Sequence, residues 1–258
     1  MSQIAFGVVG SVADLARRGY RAVDADVWRE FAFVSASAYS LALPRREAVV
    51  ARPDDGHLPV VLVHGLGGNR GTFWPLRLYL RAHGRRRIYS FGFPKGTVEE
   101  IAAALVDFVD DVLRANGEKR VDIVCHSLGG LVARYALQRL GLKRKVGTLV
   151  TLATPHGGTH AARYVNTVLT RPLRPDSNLL KGLNGENLSR APWRFFAVMS
   201  DRDIYVVPKE GMRHEAAETI FLPGLSHAEH LVSPRVFRTV LECLDADECR
   251  RGAFTDLR

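Results

Sequence analysis

Residues 121–130 read VDIVCHSLGG. Val121, Ile123, Val124 and Cys125 make an apolar run, which suits a strand buried on both faces. The chain then turns polar and small at His126, Ser127, Gly129 and Gly130, and LVARYALQRL follows as a helix ended by Gly141. A buried strand that runs into a turn and straight into a helix needs small residues at the junction. The residue at its tip is pushed out of the sheet, and here that residue is Ser127.

The same rhythm extends in both directions. VVLVH at 60–64 is another short apolar run, followed by a glycine-rich loop and a helix around 73–83. RIYSFGF at 87–93 is the next expected strand. Thr97-Val98-Glu99-Glu100 fits a capping box, in which Thr97 caps the helix and Glu100 reaches back. Val98, Ile101, Leu105, Phe108, Val109 and Val112 then form one apolar stripe at helical spacing, and Asn116-Gly117 ends it. VGTLVTLAT at 146–154, RFFAVMS at 194–200 and TIFLPG at 219–224 are further strands, and VFRTVLECL is a closing helix. Alternating strands and helices mean a single α/β domain over residues 1–258, with a mostly parallel sheet flanked by helices. Residues 1–46 read as a helical extension, with Val23, Val27, Trp28 and Phe31 on one stripe. This stripe either packs on the domain or lies on a membrane surface. Residues 157–192 are too long for a plain connection. They read as a cap or lid insertion holding one or two short helices.

Ligands of open parallel sheets bind at the carboxyl ends of the strands. His64-Gly65-Leu66-Gly67-Gly68, Cys125-His126-Ser127, Thr154-Pro155-His156, Asp201-Arg202-Asp203 and Ser226-His227 all sit at such ends. A serine hydroxyl is a weak nucleophile until a base takes its proton and an acid orients that base. Ser127, a histidine and an aspartate supply those types. The N–H groups of Leu128 and Leu66 are placed to meet an oxyanion.

Taken together, these motifs resemble the α/β-hydrolases, and within them the bacterial lipases and esterases. HGLGG resembles the oxyanion loop, CHSLGG the nucleophile elbow, TLATPHGGT the segment after the next strand, SDRDIYVVP the acid turn and GLSHAEHLVSPRV the histidine loop. The resemblance implies Ser127 as nucleophile and His227 as base. Asp203 is the implied acid, because the family's acid precedes a hydrophobic stretch ending in Val-Pro; Asp201 is the rival. Leu66 and Leu128 would form the oxyanion hole. His64, Gly65, His126, Phe73 and Trp74 would border the substrate. Apolar cap residues such as Val165, Leu173, Leu180 and Leu183 either line an acyl groove or bury the cap on the core. His156 is expected to be structural, and His230 to face solvent. Cys125 stands where the elbow's first glycine is usual. It reads as a small core residue rather than a nucleophile. Ala228-Glu229-His230 gives no support for the calcium site of some related lipases, and no zinc pattern is present.

The implied reaction is hydrolysis of medium- to long-chain acyl esters, with no cofactor and no metal. A short-chain esterase and an acyltransferase would use the same groups. A non-catalytic lipid- or partner-binding protein on this fold would be expected to have lost one of them. Hydrophobic residues at 47% provide for a real core, and charged residues at 24% argue against disorder. The net charge of +9 sits in short clusters such as Arg85-Arg86-Arg87, without interleaved aromatics. That argues for solvated turns, and for contact with an anionic lipid interface over a specific nucleic-acid site. Three cysteines are too few for a disulfide framework; Cys243 and Cys249 either pair or stay free. The N-terminus lacks a convincing secretory signal, so a cytoplasmic or membrane-peripheral location is the default expectation.

Overall fold

The computed structural model describes residues 47–188 and 190–246. The helical extension expected over 1–46, and Cys249, lie outside the described residues. Among the described residues, six strands form one parallel sheet: β1 (Val60–Val63), β2 (Ile88–Phe91), β3 (Val121–His126), β4 (Val146–Leu152), β5 (Arg194–Met199) and β6 (Glu218–Phe221). Their order is β2-β1-β3-β4-β5-β6, and every neighbouring pair is parallel. The helices are α1 (Trp74–Ala82), α2 (Val98–Asn116), α3 (Leu128–Arg139), α4 (Asn178–Asn184) and α5 (Pro234–Asp245).

Each strand feeds two cores because successive side chains point to opposite faces. Val61, Val63, Ile123 and Cys125 face α2 and α3. Val60, Leu62 and Val124 face α1 and α5. The continuous apolar runs of β1 and β3 follow from burial on both sides. Strand β4 keeps this arrangement only through an irregularity. Val121 pairs with Val146 but Ile123 pairs with Leu149, so β4 carries one extra residue. Val146 and Leu149 thereby face the same core. The buried carboxylate of Asp122 accepts the Thr148 N–H at 2.9 Å beside this bulge.

Local signals set the ends of α2. Thr97 Oγ accepts the Glu100 N–H, the Glu100 carboxylate accepts the Thr97 N–H at 2.8 Å, and Gly117 closes the helix at φ 66°. Strand β2 stops before the expected residue 93, because the Phe93 N–H turns to the His64 ring instead of the sheet. The expected cap holds two 3₁₀ turns, at His160–Arg163 and Arg171–Leu173, and then α4.

The strand order decides where a ligand can bind. The chain leaves β1 toward β2, then returns past β1 to β3. The direction of winding reverses there, so the crevice beyond the carboxyl ends of β1 and β3 is left open. Pairing of Val63 with Cys125 brings His64 and His126 side by side at its mouth. A Thr97→Ala variant is expected to lose about 1 kcal/mol of stability through its lost cap. The measurement is a thermal melt.

Candidate active site

Ser127 separates β3 from α3 with φ 52° and ψ −124°, a conformation that costs a non-glycine residue roughly 1–3 kcal/mol. Its backbone is held on both sides. Ser127 N–H donates to Leu152 O at 2.9 Å, and Ser127 O accepts from Gly130 N–H and Thr154 Oγ, each at 3.0 Å. The two glycines are required by closeness rather than by φ. A methyl group on Gly129 would overlap the carbonyl oxygens of Val63 and His64, and one on Gly130 would overlap Thr154. Helix α3 can therefore start against β1 only with glycine there. Cys125 points into the core beneath α2 and α3, where burial pushes its thiol well above the usual range. A neutral, enclosed thiol has neither the charge nor the access of a nucleophile.

Asp203 follows β5 and is completely buried. One oxygen accepts the N–H groups of Tyr205 at 2.8 Å and Val206 at 3.0 Å. The other lies 2.6 Å from His227 Nδ1. Burial works to raise its pKa, but the bond from His227 and the two backbone donors hold it below the usual carboxylate range. An ionised Asp203 fixes the His227 proton on Nδ1 and leaves Nε2 for the cavity side. Asp201 does a different job. Its carboxylate accepts the Gly224 N–H at 2.7 Å, while Ser200 Oγ accepts the Leu225 N–H at 2.8 Å. These bonds stitch the loop after β5 to the loop that carries His227.

His64 lies behind the glycine-rich loop. Burial lowers its pKa to about 4, so the ring is neutral near pH 7. Its Nε2 accepts the Phe93 N–H at 3.2 Å, which puts the proton on Nδ1, 2.8 Å from Gly65 O. That bond sets the plane of the Gly65–Leu66 peptide, and hence the direction of the Leu66 N–H.

Ser127, His227, Gly65, Leu66 and His126 line one cavity of about 790 Å³. Among the described residues, no Asp, Glu, Lys or Arg lines it. Several expectations need correction. Phe73 is buried with Leu76 and Leu80 on the α1 face, because it precedes a helix that packs under the sheet. Trp74 is partly exposed and does not border the cavity, nor does the ring of His64. Of the cap residues, Val165 and Leu173 line the cavity, whereas Leu180 and Leu183 are buried beneath the cap. His230 is wholly buried rather than solvent-facing. Thr72 and Thr170 line the cavity with no sequence signal, and Thr159 and Tyr205 lie within TLATPHGGT and SDRDIYVVP without a pattern that marks them as lining, since each reaches the cavity from an irregular segment. His156 is structural as expected, bonded to Thr151 Oγ at 3.0 Å. No sequence pattern points to its neighbour Arg134, a buried guanidinium that donates to Leu183 O at 3.0 Å and to Asn184 at 2.9 Å. Burial lowers its pKa to about 10, yet it stays charged and fastens α4 to α3.

Residues 60–248 match the alpha/beta hydrolase family, and the chain belongs to it. It is 34% identical over 124 residues to a triacylglycerol lipase of Pseudarthrobacter phenanthrenivorans, a match covering 43% of this chain and 37% of that protein. A triacylglycerol lipase of Burkholderia plantarii is 34% identical over the same length, with 43% of this chain and 33% of that protein covered. The match thus spans about a third of the length of these relatives. Among solved structures, the mature lipase BlEst2 of Bacillus licheniformis superposes with a TM-score of 0.67 at 17% identity, covering 76% of this chain and 95% of that one.

The histidines make a prediction. Burial depresses His64 and His214 to about 4, and lowers His126 and His156 as well. The unfolded chain therefore binds more protons than the folded one below about pH 6.5. Stability is fully present above that pH and falls as pH drops toward 4, with His64 alone contributing on the order of 3 kcal/mol to the loss. Urea unfolding at pH 7.5, 6, 5 and 4 should show a falling midpoint, and a flat profile would contradict it.

Proposed function

We propose that this protein is a serine carboxyl-ester hydrolase, a lipase acting on medium- to long-chain acyl esters through an acyl-enzyme. The observation that carries the reading is the shared cavity. A serine held at positive φ and a histidine bonded to a buried, ionised aspartate open onto the same apolar space. Asp203 orients His227, whose Nε2 takes the proton from Ser127 Oγ as that oxygen attacks the ester carbonyl. The N–H groups of Leu66 and Leu128 receive the oxyanion; each such donor is worth about 10²–10³ in turnover. His227 returns the proton to the leaving alcohol. It then activates water, which releases the acid and frees Ser127.

The chemistry of the cavity supports the substrate class. Among the described residues its lining holds no Asp, Glu, Lys or Arg, which favours a neutral acyl chain. Its volume has room for a chain well beyond acetyl. Apolar side chains surround it: Ile204 is 71% exposed, Tyr205 60% and Val165 53%, with Tyr164 on the same cap turn at 91%. Such residues suit contact with a lipid surface, and the net charge of +9 favours an anionic one.

On p-nitrophenyl esters, Ser127→Ala is expected to lose at least about 10⁴-fold in turnover. Asp203→Asn should lose about 10⁴-fold, whereas Asp201→Asn stays far closer to wild type. A fluorophosphonate probe should modify Ser127; labelling elsewhere, or an active Ser127→Ala protein, overturns the reading. An ester series from acetate to palmitate should peak at eight carbons or more, roughly. A peak at acetate or butyrate would replace the lipase with a short-chain esterase. Co-sedimentation should be stronger with phosphatidylglycerol vesicles than with phosphatidylcholine vesicles.

A further inference from the structure

The loop that carries His227 is tied by side chains at one backbone group after another. Asp201 takes the Gly224 N–H, Ser200 takes the Leu225 N–H, and Glu229 takes the Ser226 N–H at 2.6 Å. Those three are acceptors for N–H groups. The two carbonyls that follow are met differently. Ser226 O lies 2.9 Å from His230 Nδ1, and His227 O lies 3.1 Å from His126 Nε2. A carbonyl only accepts, so each imidazole carries its proton on the named nitrogen and donates it. Two buried histidines thus hold consecutive carbonyls, one of which belongs to His227 itself.

We infer that His126 and His230 are positioning residues for His227. They set the height and tilt of its ring over Ser127 by gripping the loop from two sides. His126 comes from the elbow, directly before Ser127, and its ring stands 4.6 Å from that of His227. Its other edge abuts the glycine-rich loop, because a methyl on Gly65 would sit 3.1 Å from His126 Nδ1. One ring therefore spans the distance between the oxyanion loop and the base. His230 comes from the far side of the same loop, one turn of 3₁₀ helix on. Only its Nδ1 edge is used: Nε2 is buried and has no hydrogen-bond partner among the described residues. Neither ring touches the reacting atoms in this role. Both act through the position of His227, and the inference rests on His227 being the base of the proposed reaction.

Amides of different reach separate this role from simple packing. The side-chain nitrogen of glutamine falls near the place of Nε2, and that of asparagine near the place of Nδ1. His126→Gln and His230→Asn therefore keep the donor, while His126→Asn and His230→Gln misplace it with the same chemistry. The kcat and KM of the four variants on p-nitrophenyl octanoate are compared with wild type, alongside thermal melts. The misplaced pair should lose about 10- to 100-fold in kcat with little change in KM, as expected for a displaced catalytic group. The retained pair should keep most of the wild-type kcat. Equal losses in both pairs, or wild-type kcat in the misplaced pair, overturn the assignment. A loss that follows melting temperature instead of donor position overturns it too. Ser127→Ala, run beside them, separates the two failures. If it keeps wild-type turnover, the proposed reaction fails; if it is inactive and the four variants are unaffected, only the positioning role fails.

Discussion

The structure turns on the strained residue at the end of β3. A serine at φ 52° will relax unless its surroundings hold it. Here Leu152 O, the Gly130 N–H and Thr154 Oγ take both of its backbone groups. Other features of the site follow from that constraint. The following helix has to begin at once, so Gly129 and Gly130 pass against β1 and Thr154 where any side chain would overlap. The preceding strand has to be immobile, so β3 sits centrally with every residue buried. Cys125 fits this frame as a small buried side chain in the core beneath α2 and α3.

Around that residue, the groups of the proposed site arrive on separate loops, and side chains join those loops to each other. His64 fixes a peptide of the glycine-rich loop. His126 links the elbow to the histidine loop. Ser200 and Asp201 bind the acid loop to the same histidine loop. Asp201 and Asp203 illustrate how two chemically identical residues, two places apart, are separated by surroundings. One is exposed and bonded to a backbone N–H across a loop junction; the other is wholly buried against a histidine. The histidines behave alike. Burial keeps His64, His126 and His156 neutral, so each can serve as donor and acceptor in a fixed tautomer without adding charge beside Asp203.

The fold was legible because its signals are local and repeat. The runs VVLV, VDIVCH and VGTLVTL each bring burial on two faces, and the Thr97 box and Gly117 mark α2 at both ends. Where the reading erred, the cause was direction rather than chemistry. Phe73 adjoins the glycine-rich loop in sequence yet turns beneath the sheet, and His230 turns inward with its 3₁₀ turn. Neither orientation is encoded in spacing, because short turns lack a period that would assign a face. The extra residue in β4 was invisible for a similar reason: an apolar run with a bulge reads the same as one without.

The sequence by itself determined the parallel α/β architecture, the turn at Ser127 and the order of serine, acids and histidine at successive strand ends. These depend on short-range properties: the period of a strand, the cap of a helix, the size of glycine. Tertiary structure decided which aspartate meets His227, which nitrogen of His64, His126 and His227 carries the proton, and which apolar residues surround the cavity rather than fill the core. Those outcomes depend on contacts between segments tens of residues apart. There, burial and the available hydrogen-bond partners, not residue type, select one arrangement among chemically equal candidates.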